Sequence, residues 1–100
     1  MNVIARKTLE AFWLLHPETK QPLLAWFSMA KTQEWQSMND VVATYSKASP
    51  INAERCVFDI CGGNYRLIVA IHFANQVMFI KFLGSHAQYN RVDAATVDDF

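Results

Sequence analysis

Cys56-Val57-Phe58-Asp59-Ile60-Cys61, then Gly62-Gly63-Asn64, then Tyr65-Arg66-Leu67-Ile68-Val69-Ala70-Ile71-His72-Phe73: an apolar run, a compact turn signal and a second apolar run. Beyond Ala74-Asn75 a third run, Val77-Met78-Phe79-Ile80-Lys81-Phe82-Leu83, leaves through Gly84-Ser85-His86. β-Branched and aromatic residues fill the runs, and Gly and Asn stand where a tight reversal needs positive φ. The pattern predicts two consecutive hairpins and a three-stranded antiparallel meander within Arg55 to Arg91.

The middle run is apolar on both parities, which places it at the centre of the sheet with both faces covered. Tyr65, Leu67, Val69, Ile71 and Phe73 form the expected core face. Arg66, Ile68, Ala70 and His72 form the other. With Asn75-Gln76 as a two-residue turn, Ala70 pairs with Lys81 and Arg66 with Ser85. Arg66, His72 and Lys81 then share the face opposite the core, with His86 just past the last strand. A slip of one residue would move Lys81 to the other face.

Outward from the meander, Asn2-Val3-Ile4-Ala5 reads as an added edge strand. Thr8 is the expected cap of a helix to His16, stopped by Pro17 and striped by Leu9, Phe12, Trp13 and His16. Thr19 is the expected cap of a second helix, with Pro22 in its first turn and a stripe of Leu23, Trp26, Phe27 and Ala30. Ser37 and Asp40 have capping-box spacing for a short helix to Tyr45. Residues 45–52 carry no periodicity, and the acidic end of the chain is expected to be mobile. The fold class is α+β in the order β-α-α-α-β-β-β, with N-terminal helices on one face of a small antiparallel sheet. One hundred residues make one domain, 1–100.

Nine basic and nine acidic residues cancel, which excludes a generally basic RNA-binding surface. Asp93, Asp98 and Asp99 crowd the C-terminus, so residues 1–92 hold nine basic against six acidic residues. A local basic patch is therefore the expectation. Cys56 and Cys61 lie on opposite parities of one run and cannot form a disulfide with each other. They read as reduced thiols of a cytoplasmic protein, and no run is long enough to span a membrane. With His72 and His86 they lack zinc-ligand spacing, so no metal and no cofactor are expected. Gly62-Gly63 joins strand to strand and is no phosphate loop.

The string Gly62-Gly63-Asn64-Tyr65-Arg66-Leu67-Ile68-Val69-Ala70, with the later Phe82-Leu83-Gly84-Ser85-His86-Ala87-Gln88-Tyr89-Asn90, resembles the HigB toxins, which are RelE-like bacterial mRNA endonucleases. Val3-Ile4-Ala5-Arg6-Lys7-Thr8-Leu9, Phe12-Trp13 and His16-Pro17 extend the resemblance over nearly the whole chain. Asn90 departs from it, standing where the family pattern has aspartate. The resemblance implies a RelE-like fold and ribosome-dependent cleavage of mRNA in the A site. It also implies inhibition by a cognate HigA-like helix-turn-helix antitoxin, with operator DNA bound only through that complex. Arg66, His86 and Tyr89 occupy the positions matching the family motifs.

RNA can be cut by its own 2′-hydroxyl, given cations for the phosphorane and groups that move protons. Arg66 and Lys81 are the candidate cations; His86 and Tyr89, with His72 behind them, are the candidate proton carriers. Lys47, Arg55, His72 and Arg91 are candidate contacts to the RNA backbone. Each residue has a plainer reading. Arg66 opposes Asp59 and makes a cross-strand ion pair; Lys81 protects a sheet edge; His86 and Tyr89 sit in an exposed loop. Residue chemistry alone favours a non-catalytic RNA- or ribosome-binding module, or a protein-interaction domain. The family resemblance puts the endonuclease first.

Overall fold

In the computed structural model, which describes residues 1–100, the meander organises the molecule as its sequence predicts. Strands β3 (Arg55–Ile60), β4 (Tyr65–His72) and β5 (Val77–Ser85) are antiparallel neighbours. Two further strands complete the sheet. β1 (Asn2–Ile4) joins the outer edge of β5 in parallel, so the sheet is mixed rather than purely antiparallel. β2 (Ser49–Pro50), inside the stretch read as irregular, pairs with Val57 and Cys56 on the opposite edge. The order is β1-β5-β4-β3-β2.

Helices α1 (Arg6–Leu15), α2 (Lys20–Lys31) and α3 (Met38–Thr44) precede the meander. Their apolar stripes meet Leu67, Val69 and Ile71 of β4 in one core with Leu9, Leu23, Trp26 and Trp35. Trp26, Tyr45 and Phe58 meet edge-on at centroid distances of 5.4 and 5.1 Å, and the Tyr45 hydroxyl donates to the Trp26 carbonyl at 2.8 Å. The expected caps are not made by side chains. α1 begins two residues before Thr8, and the buried Thr19 hydroxyl donates backward to the His16 carbonyl at 2.7 Å. Ser37 makes no side-chain capping bond, while Asp40 accepts from the Gln36 N–H at 2.8 Å.

Two offsets separate the predicted from the observed pairing of β4 with β5. The connection is four residues, Phe73 to Gln76, because His72 pairs with Val77. A β-bulge then shifts the ladder between Ile68 and Val69, so Ile68 faces Phe82 while Val69 faces Ile80. Lys81 is the extra residue of the bulge. The predicted pairs Ala70–Lys81 and Arg66–Ser85 are replaced by Ala70–Phe79 and Arg66–Gly84. A bulge sets one residue outside the strict alternation. Lys81 stays on the face opposite the helices and Phe82 joins it there, with the Lys81 ammonium 5.5 Å from the Phe79 ring centre.

That second face is covered by the chain's own end. After α4 (His86–Tyr89), Val92, Ala94 and Val97 pack with Tyr89 and Ile51 on buried Val57, Ile68 and Phe82. The segment read as a mobile acidic tail is held in place. Arg55 donates to the Ala94 and Val97 carbonyls at 3.1 and 2.7 Å. Lys81 pairs with Asp98 at 3.0 Å, and the Asp99 N–H donates to the Lys81 carbonyl at 3.0 Å. No helix is long and apolar enough to cross a membrane. Cys56 is fully buried and its thiol is pushed up to about 11 by desolvation; neither cysteine forms a disulfide.

Removing residues 93–100 uncovers this second face and strips Arg55 of both carbonyl acceptors. We expect the unfolding free energy in urea to fall by about 2–3 kcal/mol. An unchanged unfolding midpoint would show that the segment contributes nothing to stability.

Candidate functional site

Arg66 enters the sheet one residue after β4 begins, beside the turn that brings β3 into β4. Cys61, Gly62 and Gly63 take φ of 54, 65 and 98°, a left-handed run that suits glycine far better than residues with a Cβ. Gly63 serves a second purpose. A Cβ there would stand 3.1 Å from Arg66 Nη1, so the missing side chain makes room for the guanidinium. Arg66 Nη1 donates to the Gly63 carbonyl, and Nε meets Asp59 Oδ1 at 3.2 Å. The cross-strand pair with Asp59 is therefore real, and the Arg66 side chain is only 16% exposed. A guanidinium carries five N–H donors. The two contacts occupy two of them, leaving three for an external acceptor.

The other wall comes from the end of β5. Ser85 and Gln88 form a reciprocal capping box: the Gln88 N–H donates to Ser85 Oγ at 3.1 Å and the Ser85 N–H to Gln88 Oε1 at 2.8 Å. Gly84, opposite Arg66, admits this box, since a Cβ there would lie 2.7 Å from Gln88 Oε1 and 2.8 Å from Phe82 Cζ. The box starts α4, which turns Tyr89 back over the sheet. The Tyr89 ring centre lies 5.7 Å from Arg66 Cζ and 6.4 Å from the Phe82 ring. His86, exposed in the first turn of α4, is anchored by its N–H to the Asn64 carbonyl at 3.0 Å. Arg66, Tyr89 and His86 are thus gathered at one end of the sheet.

The remaining candidates are not. Lys81 lies on the same face, but three residues along β5 from Gly84, roughly 10 Å away, and its charge is answered by Asp98. His72, at the far end of β4, is six residues or about 20 Å from Arg66 and stacks edge-on against Phe79. Arg55 is committed to the C-terminal carbonyls. Lys47 borders a cleft on the opposite side of β3, and Arg91 is exposed just after α4. No three His, Cys, Asp or Glu side chains converge as metal ligands.

One polar group went unread in the sequence. Tyr65, next to Arg66 but on the helix face, donates to Glu18 Oε1 at 2.6 Å and approaches His16 Nδ1 at 3.4 Å. This bond ties the 3-10 turn Pro17–Thr19 to the start of β4. It holds the Glu18 carboxyl below its ordinary 4.5 and the Tyr65 phenol above its ordinary 10.0. His86 and Tyr89, expected in an exposed loop, begin and end α4, for which the Ser85-Gln88 capping-box spacing is the signal; nothing local signals the Tyr65–Glu18 contact.

A family model described as HigB_toxin, the RelE-like toxic component of a toxin-antitoxin system, matches residues 19–92. The chain belongs to the HigB toxin family. The matched span holds the whole meander, Arg66, His86 and Tyr89. The α+β fold, with a five-stranded mixed sheet, is consistent with a RelE-like toxin. As the toxic component of such a system, this HigB-family protein has an antitoxin as its partner. No curated protein matches the chain.

Two measurements test the local design. Gly63→Ala places a side chain at φ 98° against the guanidinium, and should destabilise the protein by about 1–2 kcal/mol in urea unfolding. Wild-type stability of that variant would contradict the close fit. The second concerns pH. A lowered Glu18 stabilises above 4.5, and that gain is lost as pH falls through the folded-state value. A raised Tyr65 stabilises below 10.0, and that gain is lost as pH rises through its folded-state value. The melting-temperature gap between wild type and Tyr65→Phe should be widest near neutrality and narrow on both sides. An equal gap at pH 3 and pH 7 would rule the contact out as a source of pH dependence.

Proposed function

We propose that this HigB-family toxin is a ribosome-dependent mRNA endonuclease, neutralised by a HigA-like antitoxin. Cleavage uses the RNA 2′-hydroxyl as nucleophile and needs no metal or cofactor. The observation that carries the reading is the largely buried Arg66, oriented by Asp59 and the Gly63 carbonyl, with three N–H donors uncommitted beside the Tyr89 ring. A guanidinium held in this way suits a phosphorane, because its donors are aimed before the charge develops and need not reorganise. Tyr89 and His86 move the protons to and from the 2′- and 5′-oxygens. Lys81 contributes only background positive charge, tempered by Asp98. Lys47 and Arg91 are left as the exposed cations for flanking phosphates; Arg55 and His72 are not assigned to RNA. The A-site mRNA is presented by the ribosome, and operator DNA is met through the antitoxin, since a chain with no net charge has little phosphate affinity of its own.

Arg66 separates catalysis from mere pairing. Arg66→Ala should lower mRNA cleavage in induced cells by on the order of a hundred- to a thousandfold. Its stability cost should be about 1–2 kcal/mol, from the lost ion pair and the lost contact with Tyr89. Asp59→Ala should cost a similar amount of stability while keeping cleavage within about tenfold, because the donors survive although their aim is looser. Growth arrest, primer-extension mapping of cut mRNA and urea unfolding read these outcomes. A fully toxic Arg66→Ala, or two variants equally inactive, would remove Arg66 from the chemistry.

A further inference from the structure

The outer edge of β3 is only partly covered. β2 pairs with Val57 and Cys56 and no further. Backbone groups along an antiparallel strand point alternately to its two neighbours. Glu54 O accepts from Ile71 N on the β4 side, and Arg55 O accepts from Ile51 N on the β2 side. Continuing the alternation, the Asp59 N–H and C=O face outward, beyond the end of β2, and no turn or loop bond meets them. Beside this bare edge runs a cleft of about 470 Å3 between β3 and α2. Phe58 and Ile60 line it from the sheet, Pro22, Ala25 and Met29 from the helix, and Lys47 stands at its rim. Trp26 also lines it, 4% exposed, and its indole Nε1 is buried without a hydrogen-bond partner.

We propose that this cleft is a docking site for an extended segment of the antitoxin, which adds to the sheet as a strand against β3 at Asp59. Main-chain N–H and C=O groups are what an exposed strand edge pairs with. A helix keeps those groups for itself. The apolar walls take the alternate side chains of an extended peptide, and Lys47 favours an acidic residue at the rim. RNA is the poorer occupant, since its phosphates would meet apolar walls and one lysine. The identity of the partner rests on membership of the toxin family, not on the nuclease reading. The cleft lies across β3 from Arg66 and the two meet only at Asp59, whose main chain faces the cleft while its carboxylate holds Arg66.

The test uses the intact toxin and the antitoxin encoded beside it, purified separately and recombined. In the complex the Asp59 amide should exchange with deuterium at least about a hundredfold more slowly than in the free toxin. Ala25→Arg and Met29→Arg, both at exposed helix positions, fill the cleft without touching the core. Each should weaken antitoxin binding at least about thirtyfold, the effect of losing an interface anchor, while toxicity without antitoxin stays unchanged. Affinities within threefold of the parent, with Asp59 exchange the same in free and bound toxin, would overturn the proposal. Binding and exchange are read without any cleavage assay, so failure of the nuclease reading leaves this outcome intact.

Discussion

Strand β4 must be buried on both faces. Ile68 and Val69, adjacent in sequence and pointing opposite ways, are both fully inaccessible to solvent. Burying roughly one such side chain is worth about 1.5–3 kcal/mol, so each face needs a cover of its own. The three helices supply one. The other is assembled from a segment too short to hold a core alone, and it works because polar anchors pin it: Arg55 to two carbonyls and Lys81 to Asp98. The polar chemistry of the strand is pushed to its ends as a consequence. Arg66 sits at one end and His72 at the other, and only the first end has a turn and a helix folding back over it.

That division explains what could be read in the sequence. The meander, the core parity of Leu67, Val69 and Ile71, and the stripes of α1 and α2 all follow from the period of apolar residues, which the core enforces. Pairing between Asp59 and Arg66 was legible because the hairpin offset is set by the turn beside it. The register of β4 with β5 was not. A four-residue connection and a bulge are decided by where Met78, Ile80 and Phe82 pack, and that information is spread over both faces. The two departures leave Lys81 on the face where simple alternation put it, although neither its partner nor its role follows from alternation.

The acidic end shows how composition misleads. Asp93, Asp98 and Asp99 look like a solvated tail, yet Asp98 neutralises the one lysine inside an apolar strand and Asp93 Oδ1 accepts from the Ala95 N–H at 3.0 Å. A lysine in such a strand needs water or a counter-charge. The tail brings one. The same contact withdraws Lys81 from the cations available to a phosphate, so the surplus of three charges in residues 1–92 overstates the basic patch.

With bulk charge excluded, affinity for phosphate has to come from geometry at Arg66. Asp59 opposes this at a distance, since a carboxylate beside a guanidinium cancels much of its distant field. At contact range the balance differs. The carboxylate occupies the Nε edge, the Gly63 carbonyl takes one Nη1 hydrogen, and the remaining donors keep a fixed direction. Distant attraction is weakened, while directed hydrogen bonding at close range is retained. A group of this kind discriminates poorly among anions at long range and well among geometries at short range. For a substrate delivered already bound to a larger assembly, short-range fit is the part of recognition that the toxin itself has to supply.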